Sequence, residues 1–146
     1  MKVKLDIDKR YAEEQIIIEA PTLSPRVQKV QDFVQSLEQK ETLKGKWENQ
    51  VYLVEIHKIQ RIYIENRKVL AETDTQTYTL DIRLYQVVEI LPASFIQISQ
   101  SEIINIDFIS HLKLTPNGLI EIYLKNDSFT YSSRRYLKAI KEKLEL

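Results

Sequence analysis

Apolar and polar positions divide this chain into two regions of different texture. Near the start, "KVKLDI" alternates Val3, Leu5 and Ile7 with Lys4 and Asp6, and the period of two predicts a strand. The β-rich run "QIIIEA" predicts a second strand, so the two together read as a hairpin. In "SPRVQKVQDFVQSL" the period changes. Val27, Val30, Val34 and Leu37 recur at three- and four-residue steps, which puts them on one face of a helix. Ser24 followed by Pro25 supplies its start, a capping hydroxyl and then a residue with φ preset for the first turn. The polar run "EQKE" at 38–41 marks the boundary, giving an extension over 1–40 and a second domain over 41–146.

Beyond that boundary the pattern is mostly β. "TLKGKW" and "VYLVEI" flank a turn at Glu48, Asn49 and Gln50, and "IQRIYIEN" is rich in β-branched and aromatic residues. "KVLAET" and "TYTLDI" flank a turn at Asp74 and Thr75. "LYQVVEIL" spaces Leu84, Val87, Val88 and Leu91 as a helix does, and stops at Pro92. "ISHLKL" and "LIEIYL" flank Pro116, Asn117 and Gly118, a turn in which Gly supplies the positive φ, and "KNDSFTY" adds one more strand. The closing "SSRRYLKAIKEKLEL" is read as a helix with a Ser cap and Leu137, Ile140 and Leu144 on one stripe. The fold class expected is mainly β, several short antiparallel sheets with small helices, preceded by a hairpin and a helix.

One stretch breaks its own period. "FIQISQSEIIN" alternates from Phe95 to Ser101, and then Ile103 and Ile104 stand side by side. Ser99 and Glu102 have capping-box spacing, and Ser101 could cap alone. The expectation is a strand ending at Ile98, followed by a short helix that begins within Ser99, Gln100 and Ser101. That reading leaves Gln100 exposed at a corner with no structural duty.

Composition removes several classes of function. Of 146 residues, 43% are hydrophobic and 29% charged, which fits a globular chain. Basic and acidic side chains number 21 each, so this is no simple polycation, although a local basic patch remains open. No Cys is present, which excludes disulfides, thiolate metal sites and thiol chemistry. With Gly45 and Gly118 as its only glycines, the chain cannot build a Walker A loop or a dinucleotide fingerprint. His57 and His111 stand far apart, without partners at ligand spacing. The acid pairs Asp6 and Asp8, Glu13 and Glu14, and Glu72 and Asp74 read as surface charge. No residue set supports an enzyme, a metal or a cofactor. The start has no apolar core after its lysines, and no apolar run approaches the ~20 residues of a spanning helix, so a cytoplasmic protein is expected.

Basic clusters remain. Arg67 and Lys68 occupy a turn between strands. From 128 to 146 there are five basic residues against two acidic ones, a net +3. Arg134 and Arg135 fall in the expected first turn of the last helix, where partial positive charge already sits, and an anion such as phosphate would relieve the conflict. A solvated Lys/Arg face explains them as well.

The order of "IYIEN" with its basic turn, then "LPASFIQISQSEIIN", then "YSSRRYLKAIK" resembles the LytTR family of DNA-binding domains, over about residues 42–146. The resemblance implies a fold of short antiparallel sheets that reads duplex DNA through loops entering successive major grooves. It places Asn66, Arg67 and Lys68, then Ser99, Gln100 and Ser101, then Ser133, Arg134 and Arg135 at the DNA. Arg67, Gln100 and Arg135 would contact bases, since Arg pairs with guanine and Gln with adenine. Ser99, Ser101, Lys68, Arg134 and Lys138 would hold phosphate. The family commonly places Arg at the position of Gln97, a basic residue at that of Gln100 and often His at that of Ser99, so the corner here is uncharged and a shallower salt dependence follows. Many relatives carry a receiver domain, which the extension over 1–40 is too short to form. Stand-alone relatives exist, and the likeness implies paired-repeat targets and, for some, a small membrane protein as regulator. The apolar stripe of Val27, Val30, Val34 and Leu37 must be covered either by this chain or by a second copy, in a homodimer. The competing function is a protein-interaction module with the same fold and little or no DNA binding.

Overall fold

Two-residue turns and short antiparallel pairings generate most of the architecture. The computed structural model describes residues 1–37 and 40–146. Helix α1 (Pro25–Ser36) precedes strands β1 (Thr42–Trp47), β2 (Gln50–Glu55), β3 (Arg61–Glu65), β4 (Lys68–Glu72) and β5 (Thr77–Leu80). Helix α2 (Leu84–Ile90) then leads to β6 (Phe95–Ser99), β7 (Glu102–Asn105), β8 (Ile109–Leu114), β9 (Ile120–Leu124) and β10 (Phe129–Tyr131), and α3 (Leu137–Leu144) closes the chain. A seven-stranded sheet has the order β2-β1-β5-β4-β3-β7-β6, and a three-stranded sheet the order β10-β9-β8. Every recorded strand pairing is antiparallel.

Each face of the larger sheet has its own core. Helix α2 lays Leu84 and Val87, with Leu91 just past its end, on Leu43, Ile62, Ala71, Leu80 and Ile103. On the opposite side, Ile98 and Ile104 pack with Ile120, Ile122 and Leu124 of the small sheet and with Ile140 of α3. Gly45 is required where β1 passes Tyr78 and Val54. A Cβ there would lie 2.7 Å from Tyr78 Cβ and 2.8 Å from Val54 Cγ2, closer than packed atoms allow.

This double coverage corrects the reading of 95–105. The segment is a hairpin, β6 to β7, not a strand followed by a helix. Ile103 joins the α2 core and Ile104 the α3 core, so two adjacent apolar residues serve opposite faces of one strand. A strand buried on both sides loses its alternation. Ser99 does not cap a helix: its Oγ accepts the N–H of Ser101 at 3.2 Å and closes the turn.

The end of the chain also differs in detail. Arg134–Tyr136 form a 3-10 turn before α3, and the Ser133 side chain makes no capping bond. Ile140 is fully buried, with Leu137 and Leu144 packed around the same core.

The N-terminal hairpin does not form. No strand occupies 2–7 or 15–20, and the apolar residues of both runs are exposed. A lone two-stranded hairpin with no third strand and no packed face is marginal in water. Helix α1 does start as expected, the Ser24 Oγ accepting the Val27 N–H at 3.2 Å. Val27, Val30 and Val34 are half-buried, Leu37 is exposed, and α1 has no fully buried residue. Residues 38 and 39, within the expected boundary, lie outside the described residues.

Candidate nucleic-acid interface

Three loops that stand far apart in the sequence meet at one end of the seven-stranded sheet. Strand β3 runs toward this end and β7 runs away from it, with Tyr63 opposite Glu102. The Ile64 N–H donates to the Ser101 carbonyl at 2.9 Å, which ties the β3–β4 turn to the β6–β7 turn. The Ser133 N–H donates to the Ile98 carbonyl at 2.9 Å, which brings the entry to α3 against the end of β6. Asn66, Arg67 and Lys68, then Ser99, Gln100 and Ser101, then Ser133, Arg134 and Arg135 therefore share one edge of the molecule. Lys138 lies on the exposed side of α3, four residues after Arg134.

The β3–β4 turn has a special backbone. Asn66 and Arg67 have φ of 50° and 63°, the left-handed pair of a two-residue hairpin. Asn tolerates that region, and the second position normally favours Gly. An Arg there carries a conformational cost of roughly 1 kcal/mol and places its exposed guanidinium at the tip. Glu48 and Asn49 make a turn of the same kind between β1 and β2, at the opposite end of the sheet.

Gln100 is at the tip of the other turn. Below it, Ser99 Oγ and Ser101 Oγ lie 3.4 Å apart, and a bulge between Gln97 and Ser99 shifts the register. Gln100 and Ser101 are exposed and Ser99 is half-buried. Only neutral side chains face outward here, so the cations of the edge come from its flanks, Arg67 and Lys68 on one side and Arg134 and Arg135 on the other.

A charged network supports the corner from within. Arg61 Nε donates to Glu72 Oε2 at 2.6 Å, and its Nη1 reaches Glu102 Oε2 at 3.5 Å. Thr130 Oγ1 donates to Glu102 Oε1 at 2.9 Å, linking β7 to β10, and the Arg61 guanidinium stacks 4.2 Å from the centre of the Tyr63 ring. Burial pushes the Glu102 carboxyl above its ordinary range, although Thr130 and Arg61 pull the other way. Burial opposes the Arg61 charge, and the bond to Glu72 with the charges of Glu72 and Glu102 outweighs it and raises that group. Glu72 is thus part of a half-buried ion pair, not the surface acid its place near a turn suggests.

Sequence reasoning overlooked Arg83. Val69 pairs with Leu80, so β5 leaves the sheet at this same end, and Arg83 follows at the head of α2. Arg67, Lys68 and Arg83 line one open groove of about 750 Å³, together with Asp81 and the apolar Ile64 and Leu84. Counting the β4–β5 hairpin back to its start would have located it. His111 also finds a structural setting: its ring stacks on Tyr123, with centroids 4.4 Å apart and planes 7° from parallel.

Known proteins resemble this chain in sequence and in fold. The profile of the LytTr DNA-binding domain matches residues 49–145. A protein of Staphylococcus aureus strain MSSA476, named an uncharacterized HTH-type transcriptional regulator, is 40% identical over all 146 residues and is covered over 99% of its length. One of the same name from the bovine strain RF122 / ET3-1 is 41% identical over the same span, with 99% of its length covered. Among solved structures, the LytTr DNA-binding domain of a putative methyl-accepting/DNA response regulator from Bacillus cereus superposes with a TM-score of 0.70 at 19% identity, covering 73% of this chain and 99% of that one. Despite the relatives' name, no two α-helices are consecutive among the described residues: β1 to β5 separate α1 from α2, and β6 to β10 separate α2 from α3. With its profile matched over more than half its length and relatives 40% identical from end to end, the chain belongs to the LytTr DNA-binding domain family.

Proposed function

We propose that this protein is a cytoplasmic transcription regulator that binds duplex DNA through the shared edge of its β3–β4 turn, its β6–β7 turn and the entry to α3. The observation that carries this reading is the pair of main-chain hydrogen bonds, Ile64 to Ser101 and Ser133 to Ile98, that hold three loops in one register. In it, Arg67, Gln100 and Arg135 reach base edges in successive major grooves. Asn66, Lys68, Ser99, Ser101, Ser133, Arg134 and Lys138 set position on the backbone, and Arg83 adds a phosphate contact from across the groove. The targets are paired repeats and the working species is a homodimer. A small membrane protein is a candidate regulator by family likeness, and the chemistry calls for neither a metal nor a cofactor.

The test is a fluorescence-anisotropy titration against duplex DNA from upstream of the protein's own gene, at several salt concentrations. Saturable binding should weaken linearly on a log–log plot, by roughly 0.9 per neutralised phosphate. No binding at low salt, or binding indifferent to salt, would remove the DNA reading in favour of a protein-interaction module.

A further inference from the structure

The segment over 1–37 leaves eleven large apolar side chains exposed, from Met1 to Leu37, at 38–89% of their full area. Their arrangement is ordered. Val3, Leu5 and Ile7 alternate along one run, and Ile16, Ile17 and Ile18 form another. The two runs carry opposite charge. Positions 2–10 hold four basic and two acidic side chains, a net +2, and 13–19 hold Glu13, Glu14 and Glu19, a net −3.

Within one chain these complementary runs do not meet as strands. Among the described residues, main-chain hydrogen bonds in 1–24 join only near neighbours, Tyr11 to Asp8 at 3.2 Å and Ser24 to Thr22 at 3.0 Å. The Asp8 carboxylate is engaged by the Arg10 guanidinium at 2.8 Å, and Asp6 accepts the Tyr11 hydroxyl at 2.6 Å. The two acids of the basic run are thereby occupied locally. Lys2, Lys4, Glu13, Glu14 and Glu19 have no ion-pair partner among the described residues.

We propose that a second copy of this chain covers the extension by reciprocal strand pairing. The run 2–7 of each protomer, in which Lys2 and Lys4 against Asp6 leave a net +1, lies against the acidic run 13–19 of its partner. The arrangement is self-complementary, because a twofold axis makes each copy donate one run and receive the other. Covering one side of the six apolar side chains in these runs, Val3, Leu5, Ile7, Ile16, Ile17 and Ile18, removes roughly 300–400 Å² of apolar surface per copy, and the backbone and polar parts of the paired strands add to it toward the ~800 Å² per partner of a standard specific interface. The strand signal of 2–7 and 15–20 is then satisfied between chains, where a lone hairpin within one chain would leave its faces wet. This deepens the homodimer element of the proposed function, and its test needs no DNA.

The experiment is sedimentation equilibrium of the full chain at micromolar concentration, with two charge-reversed variants. One carries Lys2→Glu and Lys4→Glu, the other Glu14→Lys and Glu19→Lys. Wild type should sediment at twice the monomer mass and each variant alone at the monomer mass. An equimolar mixture of the two variants should return to twice the monomer mass, because each like-charged chain then meets its opposite. Only pairing between copies produces that rescue. A monomeric wild type, a variant that stays dimeric, or a mixture that stays monomeric overturns the proposal. A protein that dimerises but ignores DNA sinks the DNA reading alone, and a monomer that binds one repeat sinks this one alone.

Discussion

The main-chain N–H of Ser133 donates to the carbonyl of Ile98 at 2.9 Å. Through that bond the residue before Arg134 is fixed to the residue before Ser99, so the basic entry to α3 and the neutral β6–β7 turn move as one unit. Ile98 is fully buried and its core includes Ile140 of α3, which makes the joint stiff.

Arg135 should matter for recognition and little for folding, since its side chain is exposed. Arg135→Ala is expected to weaken binding to the specific site by about 1–3 kcal/mol, or ~5- to 150-fold, with its unfolding midpoint unchanged. Arg83→Ala should weaken binding evenly across sequences and lower the salt slope by about 1. Anisotropy titrations on specific and scrambled duplexes separate the two effects. A chain unfolded by Arg135→Ala would make that residue structural.

Arg67 sets stability against function. With φ at 63° it occupies a position better suited to Gly. Arg67→Gly should stabilise the domain by roughly 0.5–1 kcal/mol through relief of the left-handed backbone while weakening DNA binding at least tenfold. Urea unfolding and DNA titration of the same variant check both signs, and a loss of stability would show that the side chain has a packing role.

Gln100 tests the uncharged corner. Gln100→Arg puts a cation at the exposed tip of the β6–β7 turn without touching a core residue. Non-specific affinity should rise, and the salt slope should steepen by roughly 0.9. An unchanged slope would mean that this turn does not approach phosphate.

Arg61 holds two half-buried carboxylates together. Arg61→Ala leaves Glu72 and Glu102 without their shared cation and should cost about 2–4 kcal/mol. Glu102 has the opposite sense. Burial raises its folded pKa above the ordinary 4.5, so its contribution to stability is fully present below that pH and is lost as pH rises through the raised value. Glu102→Gln keeps an acceptor for Thr130 and removes the buried charge. Relative to wild type it should gain stability as pH rises from about 4 toward 7. Thermal unfolding of both chains across that range decides the point, and a parallel pH dependence would count against it.

Much of the domain is legible from local pattern. The hairpins at Glu48 and Asn49, at Asp74 and Thr75, and at Gly118, with helices α1 and α2, follow from periodicity and turn chemistry that act over a few residues. Two misreadings within the domain share one cause. Ile103 beside Ile104 looks helical when a strand is expected to keep one wet face, and the small sheet that buries the other face comes later in the chain. Glu72 looks like a surface acid because its partner, Arg61, lies across a strand pair.

The sequence by itself determined most of the turns and alternating runs of the β-rich domain, since these depend on short-range sterics and on the spacing of apolar side chains, while the set of three loops came only from its resemblance to a family. Only the tertiary structure decided that the three loops share an edge, that Arg83 joins them, and that the strand-like runs at 2–7 and 15–20 go unpaired within the chain. Those outcomes depend on strand order and on hydrogen bonds between residues as distant as Ile98 and Ser133. A local pattern can propose a strand, but the surface that completes it comes from elsewhere in the fold or from another copy.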